Sequence, residues 1–406
     1  MSVRCLHIAD LHLGRPCQSA LAPAKARLRR QEVLASLEKT LRFCQEENIP
    51  LLLIAGDFLE QGYAEPGLVE QVVESFRRAS SIHIAISPGN HDPITPESPY
   101  RTLTWPQNVH IFQEERLQSW RVPGMPVVVH GLGWNRTHIG EPLLRGFRVP
   151  KDGAIHILLV HGDLDPAGGS SDYLPLTSEQ LQDSGADYAA LGHIHQFPEP
   201  MVFSRRSAAA YAGSFEPMAF DEQGEHGGWL VEWAGDDGRG ELQLRRVALA
   251  CRQYRTKILQ LTESDTPLQQ LEKMRRLWTE DERRRDFCRI RLTGRVAAEH
   301  APDLPMLRQA LSEEFFHLEL VDETVRDFDL EQLRQQFSHG VLGRFIERMT
   351  ESDRVDARHA LLAANETAVA AEAGMNPGKN PERESRLREL ALQYGIDALL
   401  GRRVRP

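Results

Sequence analysis

Five times in its first 195 residues, this chain runs through a short apolar stretch and stops at a cluster of histidine, acidic or amide residues and glycine. Val3–Ala9 ends at Asp10-Leu11-His12, and Pro50–Ala55 ends at Gly56-Asp57. Ile82–Ser87 leads to Gly89-Asn90-His91-Asp92, Ala154–Val160 to His161-Gly162-Asp163, and Tyr188–Leu191 to Gly192-His193-Ile194-His195. Runs of this length, rich in valine, isoleucine and leucine, are of strand type. Amphipathic stretches at helical spacing, Ala24–Glu46 and Leu68–Ala79, separate the first three. The alternation predicts an α/β layered fold. In open sheets of that kind ligands gather beyond the carboxyl ends of strands. Five polar clusters at five such ends therefore predict one shared site.

The rest of the chain predicts further parts. Residues 1–245 form the α/β unit, with a last strand-rich stretch, Ala209–Trp233, carrying the turn Asp221 to Gly228. Residues 250–325 read as a small α+β module, with strands Lys257–Thr262, Phe287–Thr293 and Leu318–Val321 and helices Leu268–Trp278 and Leu304–Phe316. Residues 326–406 read as helical: Leu330, Leu333, Phe337, Val341, Phe345 and Met349 make one apolar stripe. Gly374–Pro381 is a linker signal before a last helix, Glu384–Leu400, and a basic end at Arg402, Arg403 and Arg405.

Charge and cysteine content bound the function. With 48 basic against 58 acidic residues the net charge is −10, which argues against a polybasic nucleic-acid binder. The charge is segregated, however: residues 251–296 hold 12 basic and 7 acidic residues, a net +5. Residues 297–356 hold 6 and 14, a net −8. Five cysteines without metal-ligand spacing make a disulfide framework or zinc ribbon a poor reading and favour a reducing compartment. The N-terminal residues lack a signal-peptide pattern and the longest strongly apolar run, Leu51 to Ala55, is too short to span a bilayer, so a cytoplasmic protein without a membrane segment is expected.

The clusters carry metal chemistry. In extended chain, residues at i and i+2 point the same way, so Asp10 and His12 can reach one ion, and His193 and His195 can flank a pair of ions. Asp57 follows a glycine that lets the chain turn sharply, and its two carboxylate oxygens can bridge two cations. Asn90 offers a neutral carbonyl oxygen, and His161 closes the set. Two divalent ions bring four positive charges, of which Asp10 and Asp57 return two, so the centre stays positive and suits an anionic phosphate ester. Mixed imidazole and carboxylate donors favour manganese, iron or zinc over magnesium or calcium. Singly each cluster is ordinary loop chemistry; jointly and in this order they are specific.

D-x-H, GD, GNHD, H-G and GHxH in this order resembles the calcineurin-like metallophosphoesterases, whose layered β-sandwich flanked by helices is then the expected fold. The segments His7–Gly14, Ala190–Gln196 and Tyr211–Trp233 resemble SbcD-type DNA repair exonucleases, in particular their YhaO-like branch. The likeness is dense over about the first 235 residues. It implies one metal held by Asp10, His12, Asp57 and His195, and a second by Asp57, Asn90, His161 and His193. It also implies that His91 contacts the scissile phosphate, with Asp92 orienting that ring. Where some relatives carry a histidine shortly after Gly-Asp, this chain has Glu60, a departure expected to touch no ligand.

The resemblance further implies a metal-dependent DNA nuclease, a 3′→5′ double-strand exonuclease with single-strand endonuclease activity. Two divalent ions, manganese first, would lower the pKa of a bound water and stabilise charge developing on phosphorus. It implies an SbcC-like SMC-type ATPase as partner, docked by the C-terminal helices, and a homodimer. The rivals are a phosphodiesterase for small molecules such as cyclic nucleotides and a non-catalytic scaffold for the ATPase. Arg15 and Arg136 are candidate phosphate contacts, the loop Asp165–Asp172 could approach DNA, and Arg275–Arg295 could grip a duplex backbone.

Overall fold

The computed structural model describes residues 2–16, 21–235 and 240–350, with 391–392, 394–396 and 398–400. Cys17, the linker Gly374–Pro381, most of Glu384–Leu400 and the terminal arginines lie outside the described residues. The chain divides into two compact units, Met1–Arg255 with Arg285–Phe287, and Thr256–Arg284 with Cys288–Pro406.

The first unit is a sandwich of two six-stranded mixed sheets, the architecture expected from the alternation of strand and helix patterns. One sheet has the order Leu242–Ala248, Gly227–Trp233, Val3–Ile8, Leu51–Ala55, His83–Ser87, Val109–Ile111, its last four strands parallel. The other runs Met201–Val202, Ala208–Tyr211, Tyr188–Gly192, Ile155–His161, Val127–Gly131, Gln118–Arg121, with four parallel strands at its centre. Side chains alternate faces along each strand, so Val3, Cys5, Leu51 and Leu53 meet Val127, Val129, Ile157 and Leu159 between the sheets. Leu6, Ile8, Leu52, Ile54, Ile84 and Ile86 face the other way and bury Leu37, Leu41, Val72 and Phe76 of the helices Pro23–Glu46 and Pro66–Arg78. Leu158, Val160, Ala189 and Leu191 do the same for the helix Ser178–Ser184 through Leu181. Strands buried on both faces explain the continuous apolar runs.

Two glycines let strand ends come close enough to share a site. A Cβ at Gly192 would lie 1.7 Å from the Ala55 carbonyl oxygen, so the two sheets touch there through backbone. Gly56 has φ +85° and stands against the His161 ring, where a Cβ would come within 2.3 Å.

The second unit has a four-stranded sheet, with Phe287–Ala297 between Tyr254–Leu261 and His317–Asp322 and also pairing Val325–Asp327. Its core includes Leu261, Met274, Ile290, Leu292, Leu307, Leu311 and Leu320. The charge segregation along the sequence is partly offset in space. Arg275 pairs with Glu314, Arg289 with Glu319 and Arg291 with Glu323, because strand and helix packing brings the basic segment against the acidic one. The C-terminal stripe is likewise not one helix. The helix Leu330–Gln336 stops, and a second helical run, residues 341–350, begins after Ser338-His339-Gly340. Leu330, Leu333, Phe337 and Phe345 pack with Leu342, Ile346 and Ile396, whereas Val341 is 67% exposed. Among the described residues no helix is long and apolar enough to cross a membrane, and Cys5, Cys44 and Cys251 form no disulfide.

Candidate metal centre

The carboxyl ends of the strands Val3–Ile8, Leu51–Ala55, His83–Ser87, Ile155–His161 and Tyr188–Gly192 bring the five clusters together. The extended i, i+2 geometry expected for Asp10 and His12 is absent. Asp10, His12 and Asp57 have φ of 52°, 46° and 46°, and His193 has 110°, a region that non-glycine residues seldom occupy. These conformations are held from outside: Asp10 N donates to Gly56 O at 3.1 Å, His12 N to Asp57 O at 2.8 Å and Leu13 N to Phe58 O at 3.0 Å. The first two loops are thus laced together, and the side chains of Asp10, His12 and Asp57 turn into one buried space.

Two overlapping groups built on Asp10 result, beside a third made of His12, Glu60 and His91. Ligand atoms of Asp10, His12 and His195 lie within 4.8 Å of one another, as do those of Asp10, Asp57 and His161. Asp57 Oδ2 stands between the groups, 3.6 Å from His12 Nε2 and 3.4 Å from His161 Nε2. Asn90 Oδ1 lies 3.0 Å from His161 Nε2. His193 belongs to neither group; its ring stands beside His161, centroids 5.2 Å apart, and against Tyr173, while its backbone N donates to Asp10.

The donor set fits cations. His161 Nδ1 donates to Ala55 O, His12 Nδ1 to Glu60 and His195 Nδ1 to Glu222. Each Nε2 is therefore a lone pair when the ring is neutral. The Nε2 atoms of His12 and His195 face each other at 3.3 Å with no proton to share, close to the roughly 3.3 Å that separates two nitrogens on a tetrahedral ion with bonds near 2.05 Å. Burial holds the His12 and His161 imidazoles below their ordinary pKa, and burial with the neighbouring His161 lowers His193 to about 4. Burial, then the Asp57 carboxylate, pushes Asp10 well above the carboxylate range. Burial acts the same way on Asp57, but the imidazoles of His161, His12 and His91 outweigh it and hold its carboxyl low. Two buried acidic groups facing inward-pointing imidazole nitrogens form a donor set that a cation would ionise and satisfy.

Two sequence expectations need correction. Asp92 does not orient His91: its carboxylate is buried and accepts from Phe58 N, Leu59 N, Gly89 N and Tyr100 Oη, tying the loop that carries Asp57 to the one that carries Asn90. The ring of His91 is instead held by Glu60, Nδ1 to Oε1 at 2.8 Å. Glu60 also touches His12, so this departure does reach a proposed ligand. Glu222 is the second carboxylate that position-by-position reading missed. It lies in the Asp221 to Gly228 turn and accepts from His195, Ser214 and Met218 N. No local pattern marks it, since its partner His195 is 27 residues away.

The lesser candidates divide. Arg136 is spent on Glu115 and Glu141. Arg15 follows the first cluster, contacts Met218 Sδ at 3.0 Å and is close enough for its charge to act on His91. Tyr173, just after the loop Asp165–Asp172, packs its ring at a tilt against His193. His156 is structural, bridging His130 and Asp152.

Residues 3–197 match the calcineurin-like phosphoesterase family. Those residues, just under half of the chain, accordingly have the sequence of a calcineurin-like metallophosphoesterase domain, of a family that acts on phosphoester bonds. Its relatives agree with the YhaO-like branch. It is 29% identical over 248 residues to a Bacillus subtilis (strain 168) protein described as uncharacterized metallophosphoesterase YhaO, covering 59% of each chain. It is 25% identical over 254 residues to the DNA double-strand break repair protein Mre11 of Methanopyrus kandleri, over 57% of this chain and 54% of that one. With the Mre11 of Aeropyrum pernix it shares 26% over 259 residues, covering 57% and 58%. The chain thus spans less than two thirds of the length of these relatives.

Proposed function

We propose that the protein is a metal-dependent DNA nuclease that hydrolyses phosphodiester bonds in DNA repair. The observation that carries the reading is the position of Asp57 Oδ2 between His12 Nε2 and His161 Nε2, where one carboxylate can serve two ions. Asp10, His12, Asp57 and His195 would hold one divalent ion, and Asp57, Asn90, His161 and His193 the other, with manganese the first choice and iron or zinc alternatives. When bound, the pair would activate water and stabilise charge on the phosphate in transit. His91 is the histidine free to meet substrate: its side chain is 41% exposed and Glu60, through a hydrogen bond, raises its pKa, which suits donation to a phosphate or leaving-group oxygen. Asp92 acts by fixing the loops that present Asp57 and Asn90.

The relatives named as DNA double-strand break repair proteins support DNA as substrate, and the activity we propose on it is 3′→5′ double-strand exonuclease with single-strand endonuclease. On this reading residues 1–245 are the nuclease domain, 250–325 a capping domain in contact with DNA, and 326–406 a helical tail that docks an SbcC-like ATPase in a homodimeric, cytoplasmic assembly. Labelled linear duplex DNA with manganese tests the reading, beside bis-p-nitrophenyl phosphate. Hydrolysis of the ester without attack on DNA would instead support a small-molecule phosphodiesterase. One observation favours that second reading: Arg275, Arg289 and Arg291 are engaged by carboxylates and offer a duplex less charge than their sequence implies.

A further inference from the structure

Glu60 occupies an unusual place. Its carboxylate spans two rings of different duty, Oε2 on His12 Nδ1 at 2.9 Å and Oε1 on His91 Nδ1 at 2.8 Å. The backbone around it is clamped to the same two loops. Glu60 N donates to Leu13 O at 2.9 Å, and Gln61 N donates to His91 O at 3.1 Å. The rings of His12 and His91 meet edge to face with centroids 4.8 Å apart, so neither can rotate without disturbing the other. We propose that Glu60 is a positioning residue that sets the tautomer and orientation of His12 and His91 together, and so couples metal binding to phosphate engagement.

The chemistry follows from what an ionised carboxylate can do. It accepts and cannot donate, so both contacts require the ring proton on Nδ1. His12 then keeps an Nε2 lone pair for a cation, as outer-shell carboxylates commonly ensure for histidine ligands. His91 is held by the same group and keeps Nε2 as its free ring nitrogen. Two acceptor oxygens in one plane are essential. A glutamine accepts at one end and donates at the other, so one of the two rings must surrender its Nδ1 proton. At His12 that shift places a proton on Nε2 and blocks the ligand position.

This inference rests on the metal-centre reading, and its test separates the two. The full-length chain is labelled with nitrogen-15 histidine. Long-range proton–nitrogen spectra of the metal-free protein then report the tautomers of His12 and His91, identified with His12→Ala and His91→Ala. Manganese affinity is measured by calorimetry in parallel. The wild type should show Nδ1–H at both rings. Glu60→Gln should move one of them to Nε2–H and weaken manganese binding by about 10- to 100-fold. Glu60→Ala, which removes the acceptor without adding a donor, should weaken binding similarly and serves if the glutamine variant does not fold. Nδ1–H retained at both rings with manganese affinity within twofold of wild type would overturn the inference. A wild type that binds no manganese but loses a tautomer in Glu60→Gln would overturn the metal-centre reading and leave the positioning role standing.

Discussion

His12 and His195 point their Nε2 atoms at each other across 3.3 Å, and each ring is fixed from behind by a carboxylate, Glu60 for His12 and Glu222 for His195. Two lone pairs at that distance repel unless something positive stands between them. The backbone strain at Asp10, His12, Asp57 and His193 has the same reading, because left-handed conformations at four of the predicted ligands persist only where the surrounding hydrogen bonds impose them.

Glu222 gives the first prediction. Glu222→Gln should weaken manganese binding by about 10- to 100-fold, the usual effect of losing an outer-shell carboxylate. Calorimetric titration with manganese reads this directly. An affinity within twofold of wild type would mean that His195 needs no fixed orientation to do its work.

Asp92 separates a loop clamp from an orienting group. Its carboxylate accepts four hydrogen bonds, and an asparagine must turn an N–H toward at least one of those donors. Asp92→Asn should therefore destabilise the fold by about 1–3 kcal/mol, measured by urea unfolding. Tyr100→Phe, which removes one donor only, should cost about 1 kcal/mol. If Asp92→Asn lowers turnover with stability unchanged, the clamp is wrong and the carboxylate acts on His91.

Much of this was legible in the sequence, and the limits have physical causes. Strands buried on both faces write themselves as apolar runs, so Leu51–Ala55 and Ile155–His161 stand out, and the polar residues that end them mark the site. The edge strands Val109–Ile111 and Gln118–Arg121 are short and half-exposed and carry no such signal. Glu60 and Glu222 escaped as second partners because their roles depend on loops meeting in space. The break after Gln336 was hidden because apolar spacing continues through it, while the chain turns at Ser338-His339-Gly340. Net charge by segment misled for a related reason: ion pairs formed where strands, helices and loops pack offset part of what the sequence separates.

Gly56 links fold to site. With φ at +85° and the His161 ring where a Cβ would project, Gly56→Ala must strain the backbone and displace a proposed ligand. Strain of this kind is worth about 1–3 kcal/mol. Thermal melting should drop accordingly, and manganese affinity should fall in the protein that remains folded. Wild-type affinity in a stably folded Gly56→Ala protein would show that His161 can move without consequence.

Acid should unfold the metal-free protein partly through His7. This ring is fully buried between the sheets against Tyr188, and burial lowers its pKa from 6.5 to about 3. The unfolded chain therefore binds a proton that the folded one refuses. Above pH 6.5 the group has no effect on stability; between 6.5 and about 3 stability falls as pH falls, approaching about 1.4 kcal/mol per pH unit from this residue. Urea midpoints between pH 7 and 5, in chelator, should fall more steeply in wild type than in His7→Gln. Parallel slopes would contradict the buried neutral imidazole.

His91 provides the sharpest division between binding and turnover. Its side chain is exposed where the surrounding ligands are buried, its Nδ1 is taken by Glu60, and its charge is favoured by that hydrogen bond. Its ring does join His12 and Glu60 in a cluster close enough to hold an ion, but its Nδ1 is spent on Glu60, whereas His12, 4.8 Å away by ring centroid, faces inward to Asp57. His91→Ala should therefore reduce hydrolysis of bis-p-nitrophenyl phosphate at saturating manganese by at least about 100-fold, in the range of general acid–base contributions. Manganese affinity should stay within about threefold, since only an outer ring is lost. Loss of metal together with activity would instead make His91 part of the coordination sphere, and the substrate-facing role would pass to another residue, with Arg15 the cation next in reach.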